Sequence, residues 1–276
     1  MKTLLRRTWE VSYGLYAVIS FFVLVLICLA LVLLPMPVSA RRRVAHVMSR
    51  LSFVVIGSRL RVHGLDHLPP GPCVVTANHS SYLDGILLQA ALPPRFTFVM
   101  KKEARQIPFG GLLLHRIQSE FIERFNRRAA ANDTRRLIQA AEAGQPLVFF
   151  PEGTFLKRPG IGKFHNGAFA IAARLNLPVV PLAIRGTRAM LASDQWLPRH
   201  GHIDVCVLPS VAEPATETST TRRAEYLRDT ARQRIIAAVG EPDLNPRARS
   251  TADKPIVPVL TAARSRPERS LDSTRG

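Results

Sequence analysis

Apolar residues crowd the start of the chain and then recur in short runs. Residues 11–34 carry no charge and are mostly apolar. At about 1.5 Å of rise per residue, roughly 20 residues cross the hydrocarbon core of a bilayer. The run therefore predicts a membrane-embedded helix. Lys2, Arg6 and Arg7 before it, with Val38-Ser39-Ala40 after it, also suit a cleaved secretory signal. Its length exceeds the roughly 7–15 apolar residues of such a signal, so a retained anchor is expected. Arg41-Arg42-Arg43 follow on the far side. Both flanks are basic, and charge does not orient the helix. Crossing the bilayer and dipping into one leaflet both stay open.

Next, Val44, Val47, Met48, Leu51, Val54 and Val55 recur at helical spacing, with Arg41, Arg42 and Arg50 on other faces. Such a helix can lie in a headgroup layer or pack its stripe on a globular unit. The pattern alone does not choose between these.

Further on, short apolar runs alternate with helical segments. Strands are predicted at 60–62, 73–77, 96–100, 121–122, 147–150, 179–184 and 203–208. Helices are predicted at 85–91, from about 110 to 116, at 134–143 with Asn132 or Asp133 as cap, at 167–175 and at 221–239. The alternation predicts an α/β fold, a mostly parallel central sheet flanked by helices, behind an N-terminal membrane-embedded helical segment. The expected organisation is anchor and amphipathic helix over 1–58, a globular unit over 59–240, and a disordered basic tail over 241–276, where Pro, Arg, Ser and Thr dominate.

Composition narrows the partners. The chain has 276 residues and a formal net charge of +18, which calls for an anionic partner: nucleic acid, a membrane surface or an acidic substrate. No zinc-finger spacing and no aromatic-basic RNA motif is present, so no nucleic acid is expected. Cys28, Cys73 and Cys206 are far apart. They form no metal site and no disulfide framework, which fits a reducing compartment.

The candidate chemistry begins at Asn78-His79-Ser80-Ser81-Tyr82-Leu83-Asp84, directly after the predicted strand 73–77. Open α/β sheets place ligands at the carboxyl ends of their strands. A carboxylate on one imidazole nitrogen frees the other as a base near neutral pH. Five residues on a regular helix leave two side chains about 140° apart. His79 must therefore sit on the loop and Asp84 in the first turn, with Ser80 or Ser81 available as cap. As a bland alternative, all of these are turn and capping residues. Arg124, in Phe121-Ile122-Glu123-Arg124, offers a planar fork suited to phosphate, and Glu123 can orient it. Phe150-Pro151-Glu152-Gly153-Thr154 ends another strand, where Glu152 can accept a substrate hydroxyl and Gly153 permits close approach. In Val180-Pro181-Leu182-Ala183-Ile184-Arg185-Gly186-Thr187 only Arg185 to Thr187 can reach a ligand. A solvated basic patch and ordinary turns are the plain readings of these three.

In this order, the four motifs resemble the glycerolipid acyltransferase family over about residues 60–187. The resemblance implies that His79 is the catalytic base and Asp84 its partner. It implies that Arg124 holds the acceptor's phosphate and that Glu152, Gly153 and Thr154 help bind the acceptor. Glu123, Lys102 with Glu103, and Ile107-Pro108-Phe109-Gly110 are also similar to the family pattern. Four positions depart from it: Glu123 replaces an Asp, Gln118 a Gly, Phe155 a phosphate-binding Arg, for which Lys157 or Arg158 can substitute, and His165, in Phe164-His165-Asn166-Gly167, the Lys of a Phe-Lys-x-Gly pattern.

The implied reaction is direct transfer of a fatty acyl chain from acyl-CoA or acyl-carrier protein, without metal or cofactor. The expected acceptor is a lysophospholipid, 1-acyl-glycerol-3-phosphate, giving phosphatidic acid. Amides at the helix start after His79 are the expected oxyanion donors. Anionic membrane lipids are expected partners, and the catalytic unit is placed at a membrane, on the cytoplasmic face of a bacterial inner membrane. The competing readings are an acyltransferase for another acceptor such as lyso-ornithine lipid, a hydrolase or transacylase (Ser80 and Ser81 lack a Gly-x-Ser-x-Gly setting), and a membrane-anchored basic binding protein.

Overall fold

The structure, a computed structural model, describes residues 2–123, 127–212, 217 and 219–245. It opens on two long helices, α1 (Lys2–Leu33) and α2 (Val38–Val55). Pro35 and Pro37 break the chain between them, since proline supplies no amide to continue a helix and restricts the residue before it. The two helices form a hairpin. Near one end, the Tyr13 and Tyr16 hydroxyls donate to the Ile56 and Val55 carbonyls (both 2.9 Å). Near the other, Cys28, Leu29 and Val32 pack with Ala45.

Seven strands follow: β1 (Arg59–His63), β2 (Val74–Ala77), β3 (Thr97–Lys101), β4 (Glu120–Ile122), β5 (Leu147–Phe149), β6 (Val179–Arg185) and β7 (His202–Val207). They form one sheet in the order β1-β7-β6-β2-β5-β3-β4. Strands β2 to β6 all run the same way, while β7 lies antiparallel to β6 and β1 parallel to β7. The connecting helices are α3 (Leu83–Ala91), α4 (Gly110–Arg116), α5 (Arg127–Glu142), α6 (Gly167–Leu175), α7 (Thr187–Met190) and α8 (Thr220–Val239). This is the mostly parallel, helix-flanked sheet expected from the sequence.

Successive strand residues face opposite sides of a sheet, and both sides are covered here. Val75, Val148 and Val180 join one core with Leu87 and Leu88 of α3 and Phe53 of α2. Val74, Leu147 and Val179 join the other with Leu137, Phe169 and Leu227 of α5, α6 and α8. Burial on both faces is why these strands read as unbroken apolar runs. Each fully buried aliphatic side chain contributes about 1.5–3 kcal/mol.

Three expectations need correction. Helix α5 begins at Arg127, not at Thr134, because 127–131 is an Arg- and Ala-rich stretch of high helix propensity. Asp133 is therefore internal, and its Oδ2 accepts the amide of Glu123 instead (2.8 Å). The arginines of α2 are not all turned outward. Arg42 donates to the carbonyls of Ile117 and Arg95 and to Thr97 Oγ1, and Arg50 to the carbonyl of Ala90 near the end of α3. Such carbonyls lack helical partners and attract cations. Residues 241–245, expected in the tail, are bound to the globular unit. Asp243 bridges Ile161, and Glu241 accepts the Gly160 amide (2.7 Å). The rest of the predicted tail, 246–276, lies outside the described residues.

Candidate active site

The carboxyl ends of the five parallel strands share one edge of the sheet. Strand β2 delivers Asn78 and His79 there, β5 delivers residues 150–154, and β6 delivers 185–187. Asn78 extends the sheet with its side chain: Nδ2 donates to the Ile184 carbonyl (3.0 Å), and Oδ1 accepts the Ile184 amide (2.7 Å). That pair fixes the backbone from which His79 projects.

Asp84 lies in the first turn of α3 and is fully buried. Its Oδ2 sits 2.8 Å from His79 Nδ1 and also accepts the amides of Ser80 (2.6 Å) and Ser81 (2.9 Å). The loop-then-turn placement required by the five-residue spacing is what the chain adopts. A carboxylate acceptor puts the proton on Nδ1 and leaves the Nε2 lone pair for chemistry. The same bonds rule out the Ser80 and Ser81 amides as oxyanion donors, because Asp84 already holds both. Ser81 Oγ accepts the Leu83 amide at the start of α3 (3.1 Å), and Ser80 Oγ bonds Thr187 Oγ1 (3.0 Å). Thr187 is fully buried and so serves this loop, not a ligand. At Gly186 (φ +94°) a Cβ would meet the His202 carbonyl at 2.1 Å, so this turn requires glycine.

Glu152 departs from its expected role of accepting a substrate hydroxyl. It is only 7% exposed. Its Oε1 accepts the His79 amide (2.9 Å) and its Oε2 the Gly162 amide (2.7 Å). It therefore positions His79 and joins two loops. Burial raises its pKa above the ordinary value, against the opposing pull of those two amides. Gly153 adopts φ +75°, and Thr154 is exposed.

Two aromatic rings contact His79, and a third backs one of them. Phe150 stacks on the imidazole (centroids 4.3 Å, planes 21° apart), and Phe155 meets it edge-on (4.6 Å, 69°). Tyr82 packs edge-on against Phe155 (4.8 Å). Farther along the edge, Lys102 Nζ pairs with Glu123 Oε2 (3.3 Å). Strands sit about 4.8 Å apart, which puts β3 roughly 10 Å and β4 roughly 14 Å from β2. Arg124 lies outside the described residues. An apolar cavity of about 400 Å³ opens beside the site, with Phe21 and Val25 of α1, Met48 of α2 and Leu113 of α4 in its wall and Tyr82 and Phe150 toward His79.

Residues 59–185 match the protein family described as Acyltransferase. The 1-acyl-sn-glycerol-3-phosphate acyltransferase BAT2, chloroplastic, of Brassica napus is 30% identical over 64% of this chain and 50% of its own. The 1-acyl-sn-glycerol-3-phosphate acyltransferase of Pseudomonas aeruginosa is 30% identical over 58% of this chain and 62% of its own. Over this stretch the chain is similar to glycerolipid acyltransferases. It spans about half the length of the first of these acyltransferases. The crystal structure of the 1-acyl-sn-glycerophosphate (LPA) acyltransferase, PlsC, from Thermotoga maritima has the same fold. Its TM-score is 0.70 at 21% identity, over 84% of this chain and 97% of that one.

Sequence reasoning missed the residues that hold the site's loops. Arg188 of α7 donates to the carbonyls of Leu156 (2.7 Å) and Arg158 (3.2 Å) and pairs with Glu241 (3.0 Å). Arg232 of α8 donates to the carbonyls of Gly162 and Ile161. No local pattern marks either residue. Gln118, one of the family departures, sits at φ +57°. That is a left-handed position where glycine is strain-free and other L residues carry a cost of roughly 1–2 kcal/mol.

Proposed function

We propose that the chain transfers a fatty acyl group from acyl-CoA or acyl-carrier protein to the hydroxyl of 1-acyl-glycerol-3-phosphate, giving phosphatidic acid. The observation that carries this reading is the 2.8 Å contact between His79 Nδ1 and buried Asp84, at a strand end beside an apolar cavity. His79 Nε2 takes the proton of the lipid hydroxyl. The oxygen bonds to the thioester carbonyl carbon, the carbon–sulfur bond breaks, and the leaving thiolate takes the proton from the imidazolium. Asp84 stabilises the imidazolium while it exists. The transfer as written uses the thioester as co-substrate and needs no metal or other cofactor.

Arg124 and Lys102 are the cations assigned to the acceptor's phosphate, with Glu123 holding Lys102. Gly153 and exposed Thr154 flank the acceptor's glycerol end. The apolar cavity suits an acyl chain, since apolar burial supplies its binding energy. Helix α1 is long and apolar enough to cross a membrane. Its lengthwise pairing with α2, which Arg42 ties to the sheet, favours a hairpin embedded in one leaflet. Basic side chains then meet anionic lipid headgroups, and the site faces the cytoplasm, where thioester donors are made. The names of the curated relatives support the acceptor.

Phe155, in place of a phosphate-binding Arg, favours one second reading: an acceptor without a phosphate monoester, such as lyso-ornithine lipid. A panel of 1-acyl-glycerol-3-phosphate, other lysophospholipids and lyso-ornithine lipid, each with both donors, decides between them. The proposal expects 1-acyl-glycerol-3-phosphate to give the highest kcat/KM. A clear preference for lyso-ornithine lipid overturns it.

A further inference from the structure

Acyl transfer from a thioester competes with hydrolysis. A base that deprotonates a lipid hydroxyl also deprotonates water, and water is the commoner nucleophile. In that side reaction His79 Nε2 takes a proton from water, the water oxygen bonds to the thioester carbonyl, and the carbon–sulfur bond breaks. The thiolate recovers the proton, leaving free fatty acid and free thiol. Excluding water suppresses such losses.

We propose that Phe155, with Phe150 and Tyr82, forms an apolar wall that keeps water from His79 and so sets the ratio of transfer to hydrolysis. The inference rests on the acyl-transfer reading. One ring covers the imidazole face and another meets it edge-on, leaving the His79 side chain 18% exposed although it stands at the open edge of the sheet. Tyr82 is 63% exposed and shields Phe155 from outside.

The wall is anchored from both sides of Phe155 in sequence. Before it, buried Glu152 holds the amide of His79 itself. After it, Arg188 holds the carbonyl of Leu156 (2.7 Å). The ring is thus held against the base by bonds at flanking residues. An apolar ring at this place presents no donor or acceptor to steady a water molecule.

The test uses the full-length protein in mixed micelles with labelled acyl-CoA, with and without 1-acyl-glycerol-3-phosphate. Free fatty acid and acylated lipid are quantified together. F155A is expected to raise the ratio of hydrolysis to transfer about tenfold, with Y82A moving it the same way and F155L staying close to wild type. A ratio unchanged in both F155A and Y82A overturns the proposal. A second readout does not depend on turnover: the rate at which diethyl pyrocarbonate modifies His79, followed by mass spectrometry. That rate is expected to rise in F155A, and an unchanged rate counts against the wall even if the variants are inactive. If wild type acylates no acceptor, the function reading fails separately, while the modification rate still reports on the wall.

Discussion

Glu152 holds the amides of His79 and Gly162 with a side chain that is almost wholly buried. Burial keeps its pKa above the ordinary value of 4.5, so the folded chain binds this proton more tightly than the unfolded chain does. Each unit of such a rise is about 1.4 kcal/mol. This group's share of stability is therefore fully present below pH 4.5 and is lost as pH rises through the folded value. Thermal unfolding in micelles between pH 4 and 7.5 checks it. The Tm of wild type relative to E152Q is expected to fall as pH rises; a relative Tm that climbs with pH contradicts the burial argument. Residues His79 and Asp84 were legible because their five-residue spacing forces a loop-then-turn geometry. The positioning role of Glu152 was not legible, because its partners lie 73 and 10 positions away.

At the scale of elements, the strands were readable from short apolar runs because each is buried on both faces. Interactions that fasten elements together were not readable, since they join charged residues far apart in the chain. Arg232 of α8 shows this best. It is 3% exposed, bonds the carbonyls of Gly162 (2.8 Å) and Ile161 (3.1 Å), pairs with Asp243 and lies over the Phe164 ring. It ties α8 and residues 241–245 to the loop that begins at Glu152, and so moves the domain's end past the composition change near 241. Removing one partner of a buried ion pair costs about 3–5 kcal/mol. R232A should therefore lower Tm by several degrees and weaken activity through the loop. A Tm within one degree of wild type, by calorimetry, counts against the fastening role.

Across the whole molecule, apolar surface gathers on the two-helix hairpin and its neighbours. Trp9, Ile19, Phe22 and Leu26 of α1 are exposed, as are Ile107, Phe109 and Leu112 around α4. On α2, Val47, Leu51 and Val54 form an exposed stripe at helical spacing, while Ala45, Ser52 and Phe53 are buried. One face of this helix thus packs on the globular unit while another stays uncovered. Exposed apolar patches of this extent mark membrane or partner contacts. Changing Val47, Leu51 and Val54 together to Ser should weaken flotation with anionic vesicles about tenfold and leave Tm nearly unchanged. Undiminished flotation contradicts a membrane role for that face.

Deprotonation of a lipid hydroxyl by His79, the step proposed above, is tested most directly by acyl transfer from labelled thioester to 1-acyl-glycerol-3-phosphate, comparing purified wild type with H79A of matched Tm. Wild type is expected to give phosphatidic acid, and H79A a rate lower by roughly 10²–10⁴. Transfer by H79A at a rate near wild type would contradict that step.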